Sequence, residues 1–194
     1  MTNFIQKISL IGCLGASMVA CSSMPLDENA KKIQTQTTSS PTSKKLVTVH
    51  QVSAKGIGSS IGTVSFEQTP KGLLIIPALG KLSPGEHGFH IHENASCDAA
   101  VKDGKMGAAI AAGGHLNPEH VAHHGTPEHG HLGDLPVLTV NEKGFATTPV
   151  IAPRLKIADI QGRSIMIHMG GDNYADTPLP LGGGGERIAC GVIQ

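Results

Sequence analysis

Short apolar runs recur from Leu46 to the C-terminus, and each is followed by residues typical of turns, such as Thr69-Pro70 or the segment Asn141-Glu142-Lys143-Gly144. Runs of this length that are rich in β-branched residues indicate strands rather than helices. The closely spaced turns favour an antiparallel sandwich or barrel over parallel βαβ units. The predicted strands are Leu46–Val52, Ile61–Glu67, Gly72–Leu79, His87–Glu93, Val137–Val140, Phe145–Ile151, Ser164–Met169 and Ile188–Ile193.

A long connection, from Asn94 to Pro136, shows little regular periodicity. Its alanine-rich piece Met106–Ala112 could form one helical turn, which Gly113-Gly114 would end. A connection of this length inside a compact domain is usually functional or disordered. We therefore look for chemistry in it.

The first 45 residues differ from the rest. Residues 1–20 are typical of an export signal, with Lys7 followed by an apolar stretch, Ile8–Ala20, that is too short to span a bilayer. The stretch runs into Cys21 in a form that resembles the lipobox of bacterial lipoproteins, which predicts lipidation at Cys21; the alternative is an ordinary cleaved signal. Residues 21–45 are polar and predict a flexible tether, so the folded domain is expected at 46–194.

Charge and cysteine content narrow the function classes. Fifteen basic residues balance fifteen acidic ones, which argues against a nucleic-acid partner because a polyanion calls for a basic surface. With the signal removed and Cys21 lipidated, only Cys97 and Cys190 remain in the folded part. An even pair in an oxidising compartment indicates one disulfide; two unpaired buried thiols are the alternative.

Most of the eleven histidines fall in or beside the long connection. His90 and His92 are two positions apart in a predicted strand, so both rings leave the same face of the sheet and suit one metal. Alternating polar residues on a solvated face would give the same spacing. Further along, His115, His124, His131 and Asp134 offer the imidazole and carboxylate donors of a tetrahedral zinc site; a tract that binds metals loosely is the alternative.

Two more candidates lie near the C-terminus. His168 lies near the end of the predicted strand Ser164–Met169, in which Ile165 and Ile167 point to the opposite face. Asp172 follows after two glycines and could accept a hydrogen bond from a metal-bound histidine. A turn contact between Asp172 and Asn173 is equally compatible with the sequence.

Four segments together resemble the copper/zinc superoxide dismutase family, and they occur in that family's order. The spacing from His92 to Cys97 and the Gly170-Gly171-Asp172-Asn173 segment resemble the bacterial branch. The resemblance implies a Greek-key antiparallel β-sandwich or flattened barrel with long metal-binding loops. The segments are Gly88-Phe89-His90-Ile91-His92-Glu93, Gly113-Gly114-His115, Gly130-His131-Leu132-Gly133-Asp134-Leu135-Pro136 and Gly182-Gly183-Gly184-Gly185-Glu186-Arg187-Ile188-Ala189-Cys190-Gly191-Val192-Ile193.

The resemblance also implies site residues. It makes copper and zinc the cofactors and joins Cys97 to Cys190. Asp172 would link a copper histidine to a zinc histidine. His124 is selected by its His-x-x-Pro pattern, with His123 as the fallback, whereas His50, His87, His120 and His129 are expected at the surface. The implied copper ligands are His90, His92, His115 and His168, and the implied zinc ligands are His115, His124, His131 and Asp134.

The activity implied is dismutation of superoxide to molecular oxygen and hydrogen peroxide. Copper would exchange the electron, because zinc is redox-inert. His115 would supply a proton and Arg187 would attract the anion; a surface arginine paired with Glu186 is the alternative for Arg187.

Two other function classes stay open from sequence. One is a metal-buffering or copper-delivering lipoprotein on the same fold, and the other is a structural envelope protein. The lipid anchor would place the chain in the periplasm, at the outer membrane in particular, as an antioxidant that protects the envelope. A homodimer is possible.

Overall fold

The computed structural model describes residues 44–194. The predicted signal peptide, the lipidation at Cys21 and all but the last two residues of the predicted tether therefore lie outside the described residues. Within them the structure has two 3-10 turns, Ile110–Ala112 and Leu181–Gly183, and no α-helix. The strands are β1 Lys44–Ser53, β2 Gly56–Thr69, β3 Gly72–Leu79, β4 Gly85–His87, β5 Phe89–His92, β6 Ala100–Lys102, β7 Lys105–Gly107, β8 Leu138–Val140, β9 Val150–Ala152, β10 Arg163–His168 and β11 Arg187–Ile193.

Seven strands form one antiparallel sheet in the order β5-β10-β11-β1-β2-β3-β9. The strands β4 and β8 pair separately, as do β6 and β7. Every ladder is antiparallel, which confirms the all-β antiparallel prediction. None of the helical turns in residues 44–194 has the length and apolarity needed to cross a membrane.

The main core follows from the alternation of apolar residues along the strands. In β1 the buried residues Val47 and Val49 alternate with the exposed Leu46 and Thr48, because successive side chains of a strand point to opposite faces. The same period places aliphatic and aromatic residues of the other strands inside, among them Val64, Phe66, Leu73, Ile75, Leu79, Phe89, Ile91, Leu138, Val140, Ile165, Ile167 and Ile193.

A second, smaller cluster lies on the opposite face of the same sheet. In β10 Ile165 and Ile167 enter the main core, whereas Met166 packs with Val52, Cys97 and Cys190. The two cysteines form the predicted disulfide, with Cα atoms 5.7 Å apart across 93 positions of sequence. It ties the start of the long connection to β11. The face that carries Met166 also carries His90, its register partner in β5.

Two strand predictions needed correction, and one hairpin was missed. The predicted strand His87–Glu93 is two strands: β4 pairs with β8 and β5 with β10, because the chain bends at Gly88, whose N–H donates to the carbonyl of Gly170. The predicted strand Phe145–Ile151 is reduced to β9 and one bridge, Leu79 to Ala146. The β6–β7 hairpin in the long connection was not predicted.

Candidate metal centre

Four histidines meet at the end of the sheet where β5 and β10 pair. One ring nitrogen each of His90, His92, His115 and His168 lies within 4.8 Å of the others, and all four residues are buried. His90 and His92 come from β5 and His168 from β10, so the sheet register brings three of the rings to one face. We call these four residues the strand cluster. It is the set expected to hold copper.

Hydrogen bonds fix the orientation of the strand rings. His90 Nε2 lies 2.8 Å from Asp172 Oδ2, His92 Nδ1 lies 3.0 Å from the carbonyl of Gly113, and His168 Nδ1 lies 3.2 Å from the carbonyl of Gly185. The other nitrogen of each of these rings is buried without a hydrogen-bond partner. A neutral imidazole that donates from one nitrogen presents a lone pair on the other. The orphaned nitrogens therefore fit a metal that accepts imidazole ligands.

The strand cluster favours neutral rings. Burial, followed by the charges of neighbouring histidines, lowers the pKa of His90 and of His92 well below the usual value. Burial likewise lowers the pKa of His168 to about 4. At neutral pH these rings are ready to bind a cation without first losing a proton.

The second group of ligands surrounds one carboxylate in the long connection. Asp134 Oδ1 lies 2.8 Å from His115 Nδ1 and 3.5 Å from His131 Nδ1, and Oδ2 lies 3.0 Å from His124 Nδ1. Although the Nδ1 atoms of His124 and His131 face this carboxylate, neither is oriented to donate a hydrogen bond to it, and both atoms are buried. We call His115, His124, His131 and Asp134 the loop cluster. Three imidazoles and one carboxylate fit Zn²⁺.

His90 lies close to the loop cluster as well as to the other rings of the strand cluster. His90 also lies within 4.8 Å of the nearest atoms of His115, His124 and Asp134, whereas His131 does not join that group. The cause is stacking of His90 on His115, with ring centroids 3.9 Å apart. His115 is common to both clusters and its Nδ1 faces Asp134.

Charge is concentrated in the loop cluster. Burial alone would raise the pKa of Asp134, but the rings of His115 and His124 hold it well below its usual range. Burial likewise opposes protonation of His124, yet the carboxylates of Asp134 and Asp172 raise its pKa to about 9. The ring of His124 is therefore cationic at neutral pH before a metal binds.

Asp172 joins the two clusters. Its Oδ2 faces His90 Nε2 and its Oδ1 faces His124 Nε2, each at 2.8 Å. Gly182 packs directly against this carboxylate and leaves no space for a side chain, because a Cβ at Gly182 would fall 1.9 Å from Asp172 Oδ1. Asp172 thus occupies the linking position expected from the sequence, and not merely a turn with its neighbour.

The structure separates His124 from the fallback His123. His124 is buried between Asp134 and Asp172, whereas the His123 side chain is 83% exposed and contacts Asp176. His120 and His129 are exposed as well.

His87 was expected at the surface, and that expectation is wrong. Its exposed fraction is 2%. Nδ1 lies 2.7 Å from the carbonyl of His168 and Nε2 lies 2.9 Å from the carbonyl of Ser83. The Ser83 hydroxyl lies 3.3 Å from the same Nε2. Because the two shorter contacts are to backbone carbonyls, no residue type in the sequence marks them.

Two residues that sequence reasoning missed also stabilise the site. The Arg154 guanidinium donates to the carbonyls of Pro127, Gly130 and His131 at 2.7, 2.7 and 2.8 Å. The Tyr174 hydroxyl accepts the backbone N–H of Val137 at 2.9 Å. Both contacts join the segment around the loop cluster to residues that are distant in sequence.

A cavity of about 790 Å³ opens beside the strand cluster, and we call it the entrance cavity. His115, His168 and Arg187 are among its lining residues. The Arg187 guanidinium donates to the carbonyls of Ala109 and Gly113, each at 2.6 Å, and not to the Glu186 carboxylate. Gly113 thus accepts hydrogen bonds from both Arg187 and His92. Burial lowers the pKa of Arg187, yet an arginine remains cationic in proteins.

Comparison with known proteins gives a consistent result. A profile of the family described as copper/zinc superoxide dismutase matches residues 60–193. Cu-Zn superoxide dismutase 2 of Salmonella typhimurium is 58% identical over 150 residues, covering 76% of this chain and 87% of the relative. Cu-Zn superoxide dismutase 1 of the same species is 44% identical over 192 residues, covering 97% and 99%.

Solved structures agree in fold. The Cu/Zn superoxide dismutase of Brucella abortus superposes with a TM-score of 0.77 at 49% identity, covering 78% of this chain and all of the other. The monomeric copper, zinc superoxide dismutase of Salmonella enterica gives a TM-score of 0.71 at 55% identity with the same coverage.

Proposed function

Because the chain belongs to the copper/zinc superoxide dismutase family and is an oxidoreductase that dismutes superoxide, we propose which of its residues hold the metals and which handle substrate and protons. In the reaction two superoxide anions and two protons give one molecule of oxygen and one of hydrogen peroxide. The assignment rests on one observation above all, the convergence of orphaned ring nitrogens in the strand cluster.

The strand cluster, His90, His92, His115 and His168, is the copper site. Copper supplies the one-electron exchange that the reaction needs and that zinc cannot supply. The protein contributes rings that are buried, neutral and oriented by bonds to Asp172 and to backbone carbonyls. We assign His90 to copper because its Nε2 is held by Asp172, which leaves its orphaned Nδ1 for the metal.

The loop cluster, His115, His124, His131 and Asp134, is the zinc site. Asp134 draws these rings together, and its Oδ2 also accepts the backbone N–H groups of Gly125 and His131. Zinc there would stabilise the long connection. Asp172 orients one ring in each cluster.

Arg187 positions the substrate anion. Its guanidinium is held by two carbonyls at a fixed place in the entrance cavity, beside His115 and His168. A fixed cation at the base of a cleft attracts a small anion and raises its association rate. His115 is the ring common to both clusters, and we assign it as the group that delivers a proton to the reduced oxygen product.

The test compares superoxide consumption by the full chain loaded with both metals, as checked by elemental analysis, and by the same protein stripped of copper. Rapid, copper-dependent consumption is expected. Protein that holds both metals yet consumes superoxide no faster than the stripped form would instead support a metal-handling role.

Arg187→Glu tests the anion-positioning role. We expect the second-order rate constant to fall by about tenfold to a thousandfold with both metals retained. Arg187→Lys is the matched control, because it keeps the charge but loses the fixed fork. A rate for Arg187→Glu within about twofold of wild type would remove the residue from the mechanism.

We further propose that the chain is exported and anchored by lipid at Cys21 in the cell envelope, at the outer membrane, where it removes extracytoplasmic superoxide. The proposal rests on the signal-like residues 1–20 and the lipobox resemblance. Membrane fractionation of the wild type and of Cys21→Ala tests it, and a variant that fractionates with the membrane as before would contradict it.

For assembly, the Salmonella enterica relative is described as monomeric, which favours a monomer over the homodimer. Sedimentation equilibrium of the metal-loaded chain distinguishes the two.

A further inference from the structure

The entrance cavity gives an incoming copper ion access to the strand cluster, because His115 and His168 line it. His90 and His92 are fully buried, and His115 and His168 are nearly so. Only His115 and His168 of the strand cluster are among the lining residues of the cavity. Residues on the cavity wall therefore meet an incoming ion before the buried rings do.

Two methionines stand on that wall. Met106 lies in β7 and Met169 follows His168 at the end of β10, and both line the entrance cavity. Their exposed fractions are 52% and 55%, although methionine is a residue type usually found inside proteins. Met166, three residues before Met169, is by contrast fully buried beside the disulfide.

The charges that line the cavity bear on the role of these two methionines. Lys102 and Arg187 line it together with a single carboxylate, that of Glu186. Such a wall favours the anionic substrate and gives an approaching metal cation no net attraction. Capture of a cation there depends on direct ligation, and neutral thioethers are soft ligands that select Cu(I).

We propose that Met106 and Met169 form a transient capture site for Cu(I) on the way to the strand cluster. The ion would bind first through thioether sulfur and then pass to His168, the residue next to Met169 in the chain. No redox step is involved, because the ion is taken up as Cu(I). The inference rests on the proposed copper site, which must accept the ion at the end of the path.

The test follows Cu(I) uptake by the full chain, zinc-loaded and copper-free, under anaerobic conditions, with a chromogenic Cu(I) chelator as donor and ascorbate as reductant. Met106→Leu/Met169→Leu removes both sulfurs and nearly conserves volume and apolarity. We expect uptake to slow by about tenfold or more, with unchanged final copper content. Leu181→Ala, which trims an apolar residue of the same wall, should leave the rate near that of wild type.

The outcomes separate the two proposals. If the wild type takes up no copper, the proposed copper site fails. If it loads fully and the double variant loads as fast, the capture site fails and the proposed function stands. If Leu181→Ala slows uptake as much as the double variant does, the wall acts through its apolar surface, and the thioether assignment is overturned.

A second readout uses Ag⁺, a redox-inert soft cation, and the methyl resonances of methionine. The Met106 and Met169 methyl signals should shift together as Ag⁺ is added, whereas the buried Met166 signal serves as the internal control. Shifts confined to other methionines would contradict the assignment.

Discussion

The two metal clusters are built in opposite ways. Strand register positions three rings of the strand cluster, and their second nitrogens are fixed by Asp172 and two backbone carbonyls. The loop cluster has no sheet beneath most of its ligands and gathers around Asp134. The difference indicates that a sheet can pre-form a ligand set, whereas a long connection needs a buried charge to do so.

The electrostatics differ in the same sense. Burial keeps the rings of the strand cluster neutral, with the pKa of His168 near 4, whereas carboxylates raise the pKa of His124 to about 9. The strand cluster is a buried set of neutral rings, whereas the loop cluster is a network of ion pairs. Four experiments could break or sharpen this contrast.

The largest effect is expected for Asp134→Asn. Removing one partner of a buried ion pair costs about 3–5 kcal/mol, so urea unfolding of the metal-free protein should show a loss of that size. Zinc should be lost on dialysis while copper is retained. Asp176→Asn is the matched control, because its pair with the exposed His123 is screened by solvent and should add little to stability. Equal loss of copper and zinc from Asp134→Asn would show that the halves are not independent.

Acid should destabilise the metal-free protein through the strand cluster. The pKa values of His90, His92 and His168 are depressed in the folded state, so the unfolded chain binds more protons below its pKa of about 6.5. Stability is therefore lost as the pH falls from about 6.5 toward 4; the shift of His168 alone corresponds to about 3 kcal/mol, and His90 and His92 add to that loss. Urea unfolding at several pH values measures this loss.

His124 acts with the opposite sign. Its folded pKa is raised to about 9, so its contribution is complete below about 6.5 and disappears as the pH rises through 9. Because the contribution of His124 does not change below about pH 6.5, the loss of stability in acid should also be seen in Asp134→Asn. Stability that stays constant between about pH 6.5 and 4.5 would contradict the neutral-ring account.

A smaller effect is expected for Gly182→Ala. The new methyl would fall 1.9 Å from Asp172 Oδ1 and 2.8 Å from His124 Nε2, so Asp172 must move. Zinc affinity should fall by about 10–100-fold, as measured by competition with a chelator. Gly183→Ala is the control, since its φ is similar, at 78° against 70°, but its methyl would lie 3.6 Å from Leu179. Equal losses in both variants would implicate backbone strain alone.

The smallest effect is expected for Arg154→Met. It leaves three carbonyls of the long connection without their donor, which should cost about 1–2 kcal/mol and speed zinc release. Lys156→Met, an exposed neighbour, is the control. Identical thermal unfolding of the two variants would remove Arg154 from the support of the loop cluster.

The contrast also explains what the sequence could predict. Alternation alone placed His90 and His92 on one face and His168 opposite Ile165 and Ile167, because a strand has a fixed period. The chemistry of His115, His124, His131 and Asp134 suggested a zinc site, but no period relates residues in a connection, so choosing that site over a tract that binds metals loosely required the family resemblance.

Neither strand alternation nor family resemblance predicted the supporting contacts. His87 and Arg154 bind carbonyl oxygens, and every residue carries a carbonyl, so the sequence gives no sign of which one is used. The break at Gly88 was missed for a related reason. A turn to a different partner strand depends on a hydrogen bond to Gly170, 82 positions away.

Tyr174 gives the molecule a built-in optical probe. It is the only tyrosine of the chain, which has no tryptophan, and its hydroxyl meets Val137 at the far end of the long connection. Intrinsic ultraviolet fluorescence therefore arises at a single place, two residues beyond Asp172. The fluorescence of unlabelled protein can therefore report in real time whether the contact between Tyr174 and Val137 is formed.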